Sequence, residues 1–383
     1  MKRSFLFVLS ALVLMGFTSC KGGSEKESTT LSGLSVNNFT QNVKGKDGKF
    51  FVLKNSNGME VCISNLGARI VSIMVPDKTG AMKDVVLGFD SIKDYETIPN
   101  NFGATIGRYA NRIANGIITV DSVTYQLPKN NFGHCLHGGP TGWCDQMFDS
   151  VQYVDNKSVV LSIVSPDGDA NFPGTVTAQV AFTLTEDNAI DIKYSATTDK
   201  KTVINMTNHT YFNLGGDPSL SAMDNILYLN ANEYTPVDST FMTTGEIVPV
   251  AGTPMDFTTP KVLSQDIDKT DFIQLQYGRG YDHNWVLNTK GNDKEVAARL
   301  TSPVSGITVE VYTDEPGIQL YTGNFLDGTV TGRKGIVYNV RTAVCLETQK
   351  FPDTPNKPEW PSAVLEPGNE YSSHTIYKFS VEK

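Results

Sequence analysis

The chain has 383 residues, 39% of them hydrophobic and 19% charged, with a formal net charge of −9. That apolar content excludes a disordered chain, and the acidic balance argues against nucleic acid as a partner, because nucleic-acid binders carry a basic stripe. The 33 glycines, 18 prolines, 15 tyrosines and 19 phenylalanines point to many short strands joined by tight turns instead of long helices.

In chain order, Lys2 and Arg3 precede an apolar run from Phe5 to Phe17 that closes on Thr18-Ser19-Cys20. A basic head, a short apolar stretch and small residues at its end describe a secretory signal over residues 1–19. The run is too short to span a bilayer comfortably. A cysteine at the expected cut resembles a bacterial lipobox, which implies lipidation of Cys20 and an exported protein held in the cell envelope, periplasm or outer membrane, by that anchor alone. The alternative is an ordinary signal peptide cut nearby. The polar stretch after Cys20 makes residues 20–36 a flexible tether. Residues 40–383 hold no Pro- or Ser-rich linker and no repeat of fixed length, so residues 37–383 read as one domain, with a two-domain split near Lys200 as the alternative.

Within that domain the apolar pattern has period two. Val159 to Val164 is an apolar run broken only by Ser162, read as a strand buried on both faces. Val176, Ala178, Val180, Phe182 and Leu184 share one face, and Ile190, Ile192, Tyr194 and Ala196 repeat it after an Asp187-Asn188 turn, which describes a hairpin. Ile307, Val309 and Val311 alternate again before a turn at Asp314–Gly317. Thr342–Leu346 is a further strand-like run, and it places Glu347 near the end of a buried strand, where loss of water raises a carboxyl pKa. No long segment keeps a helical period. The fold class predicted is all-β, a large antiparallel twisted β-sandwich with function on its loops.

Five short segments concentrate polar groups that a plain sandwich does not need: Gly107–Ile113, His134–Gly139, Asn205–Gly216, Gly280–Trp285 and Leu346–Asp353. A histidine and a carboxylate brought together from distant loops are the minimum for a general acid and a general base. Trp143, Tyr211, Tyr281 and Trp285 offer flat faces for a ring-shaped ligand. His134 and His374 read as structural. His134 and His137 have the spacing of a zinc pair but lack any partner motif, so no metal is expected. Asp167-Gly-Asp169-Ala-Asn171 opens like a calcium loop, yet it carries Phe172 and Ala178 where such a loop needs Gly and Glu, and it reads as a turn. There is no G-x-S-x-G elbow and no phosphate-cradling glycine motif. Cys62, Cys135, Cys144 and Cys345 have no metal-ligand spacing. An oxidising compartment would permit a Cys135–Cys144 disulfide, although buried free thiols fit better.

Taken together, Gly107–Gly116, Leu136-His137-Gly138-Gly139, Thr207–Leu214, Tyr281-Asp282-His283, Glu347-Thr348-Gln349 and Pro352-Asp353 resemble the aldose 1-epimerase, or galactose mutarotase, family. The resemblance runs through residues 40–383 in the family's order, and Leu365–Tyr371 matches its closing strands. It implies the galactose mutarotase-like supersandwich and an isomerase that interconverts the α and β anomers of free hexoses, galactose or glucose, without a cofactor. It casts Glu347 as general base and His209 as general acid. Arg112, His137 and Asp282 would bind sugar oxygens, with Asn111, Gln319 and Tyr211 lining the same cleft. Two other readings share the scaffold. One is a catalytically silent carbohydrate-binding protein, which should lack the acid or the base. The other is a hexose-6-phosphate 1-epimerase, which should show a basic cluster for the phosphate.

Overall fold

The alternation between Val176 and Ala196 builds the middle of the molecule. In the computed structural model, which describes residues 29–382, Val176–Leu184 pairs antiparallel with Ala189–Thr198, setting Ala178 opposite Ala196 and Phe182 opposite Ile192. Asn188 takes a left-handed φ of 63° in the turn between them, a conformation asparagine tolerates better than most residues. This hairpin is the heart of a nine-stranded antiparallel sheet. Asp149–Val154 and Ser158–Ser165 extend it on one side. On the other, the last strand of the chain, Tyr371–Val381, lies between Ala189–Thr198 and Ile307–Thr313. Ala298–Thr301, Ile226–Leu229 and Lys261–Val262 complete the order.

A second, six-stranded sheet runs Tyr211–Phe212, Val344–Gln349, Gly317–Tyr321, Asp282–Val286, Glu233–Thr235, Val248–Pro249. One of its faces carries Trp285, Ile318, Leu320, Val344 and Leu346, all at 1% exposure or less, in the same apolar cluster as Val180, Phe182 and Ile192 of the large sheet. Burying two apolar faces against one another is what holds a sandwich together. A polar tie crosses the same layer, where the Tyr377 hydroxyl donates to the Leu346 carbonyl at 3.0 Å. A four-stranded sheet, Phe50–Lys54, Glu60–Ser64, Arg69–Pro76 and Met82–Asp84, packs alongside. The α-helices among the described residues, Ile92–Thr97 and Ile273–Gly278, are only six residues long. No helix of these residues is long and apolar enough to cross a membrane.

One strand departs from expectation. Ser158–Ser165 is covered on one face only: Val159, Leu161 and Ile163 point into the core, while Val164 is 62% exposed. It is the second strand from the sheet's edge, and its outer face, which carries Val160, Ser162 and Val164, stays partly at the surface, so the apolar run does not reflect double-sided burial. The Asp169–Asn171 segment forms a short 3-10 turn between strands. All four described cysteines are buried free thiols, with Cys135 and Cys144 in separate apolar clusters. Residues 29–36, inside the stretch read as a tether, pack on the body: Leu34 is buried and the Leu31 amide donates to Glu60 Oε1 at 2.7 Å. The signal segment and Cys20 lie outside the described residues.

Candidate active site

Strand geometry makes the site. Side chains alternate across a strand, so the face of the six-stranded sheet turned away from the core carries Asp282, Asn284, Gln319, Tyr321, Cys345, Glu347 and Gln349. The pairing sets Gln319 beside Glu347 and Asn284 beside Gln319, and sets Tyr321 beside both Cys345 and Asp282. Tyr211 pairs with Cys345, and continuing that register back along the chain brings His209 opposite Glu347. The contact confirms it: His209 Nε2 lies 3.6 Å from Glu347 Oε1. His209 belongs to a short strand, Thr207–His209, that bonds to Ala104–Ile106 on its other side. Rows of side chains from separate strands therefore meet on one surface.

The opposite wall comes from loops. Arg112–Ile113 pairs with Cys135–Leu136, which delivers Asn111, Arg112 and His137 to the cleft. Asn111 and His137 hold left-handed φ values of 64° and 53°, a strained choice for histidine that clusters at functional positions. Their backbones lock together, His137 N donating to the Asn111 carbonyl and Asn111 N donating to His137 Nδ1, both at 3.1 Å. The Asn111 side chain accepts from the Arg112 amide at 2.8 Å. Arg112 Nε donates to Asn131 Oδ1 at 3.1 Å, and the guanidinium lies over the Phe241 ring, 5.0 Å from its centroid. Its terminal nitrogens form no ion pair with any described residue and are left to face the cleft.

Asp353 explains the last piece of the sequence pattern. This fully buried aspartate follows the Val344–Gln349 strand and accepts from the Ala114 amide at 2.9 Å and from Lys357 Nζ at 2.7 Å, while its own amide donates to the Arg112 carbonyl at 2.9 Å. It clamps the Arg112 loop to the end of the Glu347 strand.

All eight predicted site residues, Glu347, His209, Arg112, Asn111, His137, Asp282, Gln319 and Tyr211, line one cleft of about 370 Å³. Gln319 Nε2 donates to Asp282 Oδ1 at 2.7 Å, fixing that carboxylate. Tyr211 stacks on His209 with centroids 5.0 Å apart and 12° between the planes. Sequence reasoning missed Asn101, Asn131, Phe132, Tyr321 and Phe325, which share the lining. Tyr321 had a signal, sitting two residues beyond Gln319 on the same strand face. Phe132 and Phe325, 50% and 40% exposed at the cleft, had none, because a loop aromatic far away in sequence carries no period. His134 and His374 are structural, as expected: His134 Nδ1 accepts from the Asn115 amide at 3.0 Å, and His374 bridges Asp191 and Asp293.

Burial governs the charges. It pushes the Glu347 carboxyl well above its ordinary range; the Asp282 charge adds to this and the Arg112 charge opposes it. It pushes His209 down to about 3. His137 is driven well down by burial and by His209 and Arg112. Asp282 is raised by burial, against Arg112 and Gln319.

His137, His209 and Glu347 each place a possible ligand atom within 4.8 Å of the others. The protonation of His137 argues against a metal there. Its Nδ1 lone pair already accepts the Asn111 N–H, so its neutral ring carries the proton on Nε2. Metal-bound imidazoles show the reverse arrangement, donating from the nitrogen that does not ligate. His137 is thus a hydrogen-bond donor in a cleft of donors and acceptors, suited to a polyhydroxylated ligand.

Comparison with known proteins points the same way. Residues 49–378 match the family model described as aldose 1-epimerase. The chain is 41% identical over 326 residues to a galactose mutarotase of Mus musculus, covering 85% of this chain and 92% of that protein. It is 39% identical over 340 residues to an aldose 1-epimerase of Escherichia coli, covering 88% and 97%. Among solved structures, an aldose epimerase homologue from C. elegans superposes with a TM-score of 0.82 at 32% identity, covering 88% of this chain and 100% of that one.

Proposed function

The chain belongs to the aldose 1-epimerase family and interconverts hexose anomers; we propose that Glu347 and His209 carry its proton transfers, while Arg112, Asn111, His137, Asp282, Gln319 and Tyr211 hold the sugar. The observation that carries this assignment is the His209–Glu347 pair, an acid and a base 3.6 Å apart in a cleft also lined by Asn111, Arg112, Asp282 and Gln319.

Anomerisation opens the pyranose ring, turns the C1–C2 bond and closes the ring again. Opening takes the proton from the O1 hydroxyl and gives one to the ring oxygen O5. In the proposed step the Glu347 carboxylate takes the O1 proton and protonated His209 gives to O5; closure reverses both. Before the step the pair holds one proton, on His209, and after it one proton, on Glu347. A neutral pair contains that same single proton. Burial favours the neutral form in the free cleft, whereas the Arg112 charge and donor hydroxyls of a bound sugar favour the carboxylate. Loading the active form is then a short proton shift inside the pair and draws nothing from solvent. A general acid and a general base contribute roughly 10²–10⁴-fold each, which suits a reaction that also proceeds unaided in water.

Arg112 can fork onto two neighbouring hydroxyls, a geometry lysine lacks. Asp282 accepts from hydroxyls, and the His137 Nε2–H donates. A sugar phosphate fits poorly, because Arg112 is the only lysine or arginine among the lining residues and faces Asp282 and Glu347. A silent binding module is disfavoured by the presence of both the acid and the base. Polarimetry of freshly dissolved α-D-galactose and α-D-glucose tests the assignment. The chain should speed relaxation to the unchanged final rotation, and Glu347→Gln should lose that acceleration; near-normal turnover in the variant would reject Glu347 as the base.

The basic head, apolar run and terminal Cys20 further support export and lipid anchoring, so that the protein works on free sugar in the cell envelope. Labelled fatty acid should be incorporated by the full chain and not by Cys20→Ser. An unprocessed, unlabelled chain would reject the anchor.

A further inference from the structure

Next to the catalytic pair, on the same sheet face, several buried polar side-chain atoms have no hydrogen-bond partner among the described residues. Gln349 lies two residues beyond Glu347 on one strand and is fully buried, yet neither its Oε1 nor its Nε2 has a hydrogen-bond partner among the described residues. Glu347 Oε2, Gln319 Oε1, Asn284 Oδ1 and Thr207 Oγ1 share that condition. The register gathers them. Gln349 pairs with Gly317, Glu347 with Gln319, and Gln319 with Asn284; extending the Tyr211–Cys345 register sets Thr207 opposite Gln349. The Lys350 amide donating to Asn205 Oδ1 at 3.0 Å agrees with that alignment. Gly317 contributes no side chain to this row, and a Cβ there would lie 2.4 Å from Asn284 Oδ1. Buried polar atoms in native proteins are nearly always satisfied, by protein or by ordered water. Of the atoms gathered here, most can only accept, and the Gln349 amide is the strongest donor.

From this arrangement we infer that Gln349 is a positioning residue for the reaction, its amide reaching Glu347 Oε2 through one ordered water and so holding the base in its ionised, correctly turned form. The inference rests on Glu347 being the base. Residues two apart on a strand are separated by about 6.6 Å, a span that one water bridges. A buried carboxylate needs such donors, since a hydrogen bond to the charged form lowers its pKa against the effect of burial. Other groups facing Glu347 are His209, His137, Asp282, Arg112, Tyr211, Tyr321 and Cys345, and of these only Arg112 carries a fixed positive charge.

The test is the pH dependence of turnover on α-D-galactose for the full chain, Gln349→Leu and Gln349→Glu. Gln349→Leu keeps the size and removes the donor. It should move the acid limb of the kcat profile up by about one pH unit and lower turnover on that limb about tenfold, with KM changed less than about threefold. Gln349→Glu should move the limb further the same way. An unmoved limb, whatever the loss of turnover, would overturn the inference and leave Gln349 with packing alone. A limb that moves in Gln349→Leu while Glu347→Gln keeps normal turnover would instead reject the base assignment itself. Should Gln349→Leu fail to fold, a high-resolution crystal structure of the unsubstituted protein decides. A water bridging Gln349 and Glu347 Oε2 supports the inference, and purely apolar surroundings overturn it.

Discussion

The two faces of the six-stranded sheet are made by the same strands and do opposite work. On one, Trp285, Ile318, Leu320, Val344 and Leu346 disappear into the core. On the other, Asp282, Gln319, Tyr321 and Glu347 are almost as deeply buried, yet they are polar and in part unpaired. The first face stabilises the fold by removing apolar surface from water. The second accepts the cost of burying polar groups without complete partners among the described residues, and it lines the cleft. Alternation by single residues thus lets stability and catalysis be altered separately, although the residues concerned are neighbours in sequence.

The sharpest way to break that contrast is to change one face and read the other. Glu347→Gln should lower kcat by about 10²–10⁴-fold, with the protein still folded by circular dichroism. A variant that unfolds would show the cleft face to be structural as well. Leu320→Ala, one residue from Gln319 but on the core face, should cost about 2–5 kcal/mol of unfolding free energy and change turnover per folded molecule by less than about tenfold. Arg112→Lys keeps the charge but loses the fork and the stacking on Phe241. Polarimetry over a range of sugar concentrations should show KM rising about tenfold or more, as expected for a charged hydrogen bond lost, with a smaller change in kcat.

The smallest effect is in stability against pH. The folded pair holds one proton, because burial raises Glu347 from its ordinary 4.5 and lowers His209 from its ordinary 6.5. Between those two values the unfolded chain also holds one proton on these residues, so their contribution is flat. Above 6.5 the unfolded chain has lost its proton and the folded pair keeps one, so stability from this pair falls as pH rises. Below 4.5 the unfolded chain holds two and the folded pair one, so it falls again as pH drops. Thermal melts should show Glu347→Gln gaining on the parent as pH rises from 4.5, because the variant loses only the contribution of the raised Glu347 carboxyl; parallel curves would mean that the pair does not share a proton in this way.

Periodicity made the sandwich legible. The Val176–Ala196 hairpin and the Ile307–Val311 strand stand where their alternation puts them, because a two-residue repeat with one wet face has few other solutions. It misled at Val159–Val164, where an apolar surface residue, Val164, imitates the second buried face of a strand. The site was legible through motif resemblance, which named residues without saying how they meet. Phe132, Phe325 and Asn131 escaped because loop contacts leave no local pattern, and Asp353 was visible only as a motif letter until its clamp on the Arg112 loop appeared.

By itself the sequence determined the all-β class, the family and the chemistry available, since composition, alternation and ordered motifs are local properties that survive without coordinates. Tertiary structure alone decided that His209 faces Glu347, that His137 Nδ1 accepts from the Asn111 amide, and that Gln349 is buried without a hydrogen-bond partner among the described residues. Each depends on strands distant in sequence being set side by side in one register. The pKa directions follow from that burial, because the removal of water is a property of the assembled cleft and of no single segment.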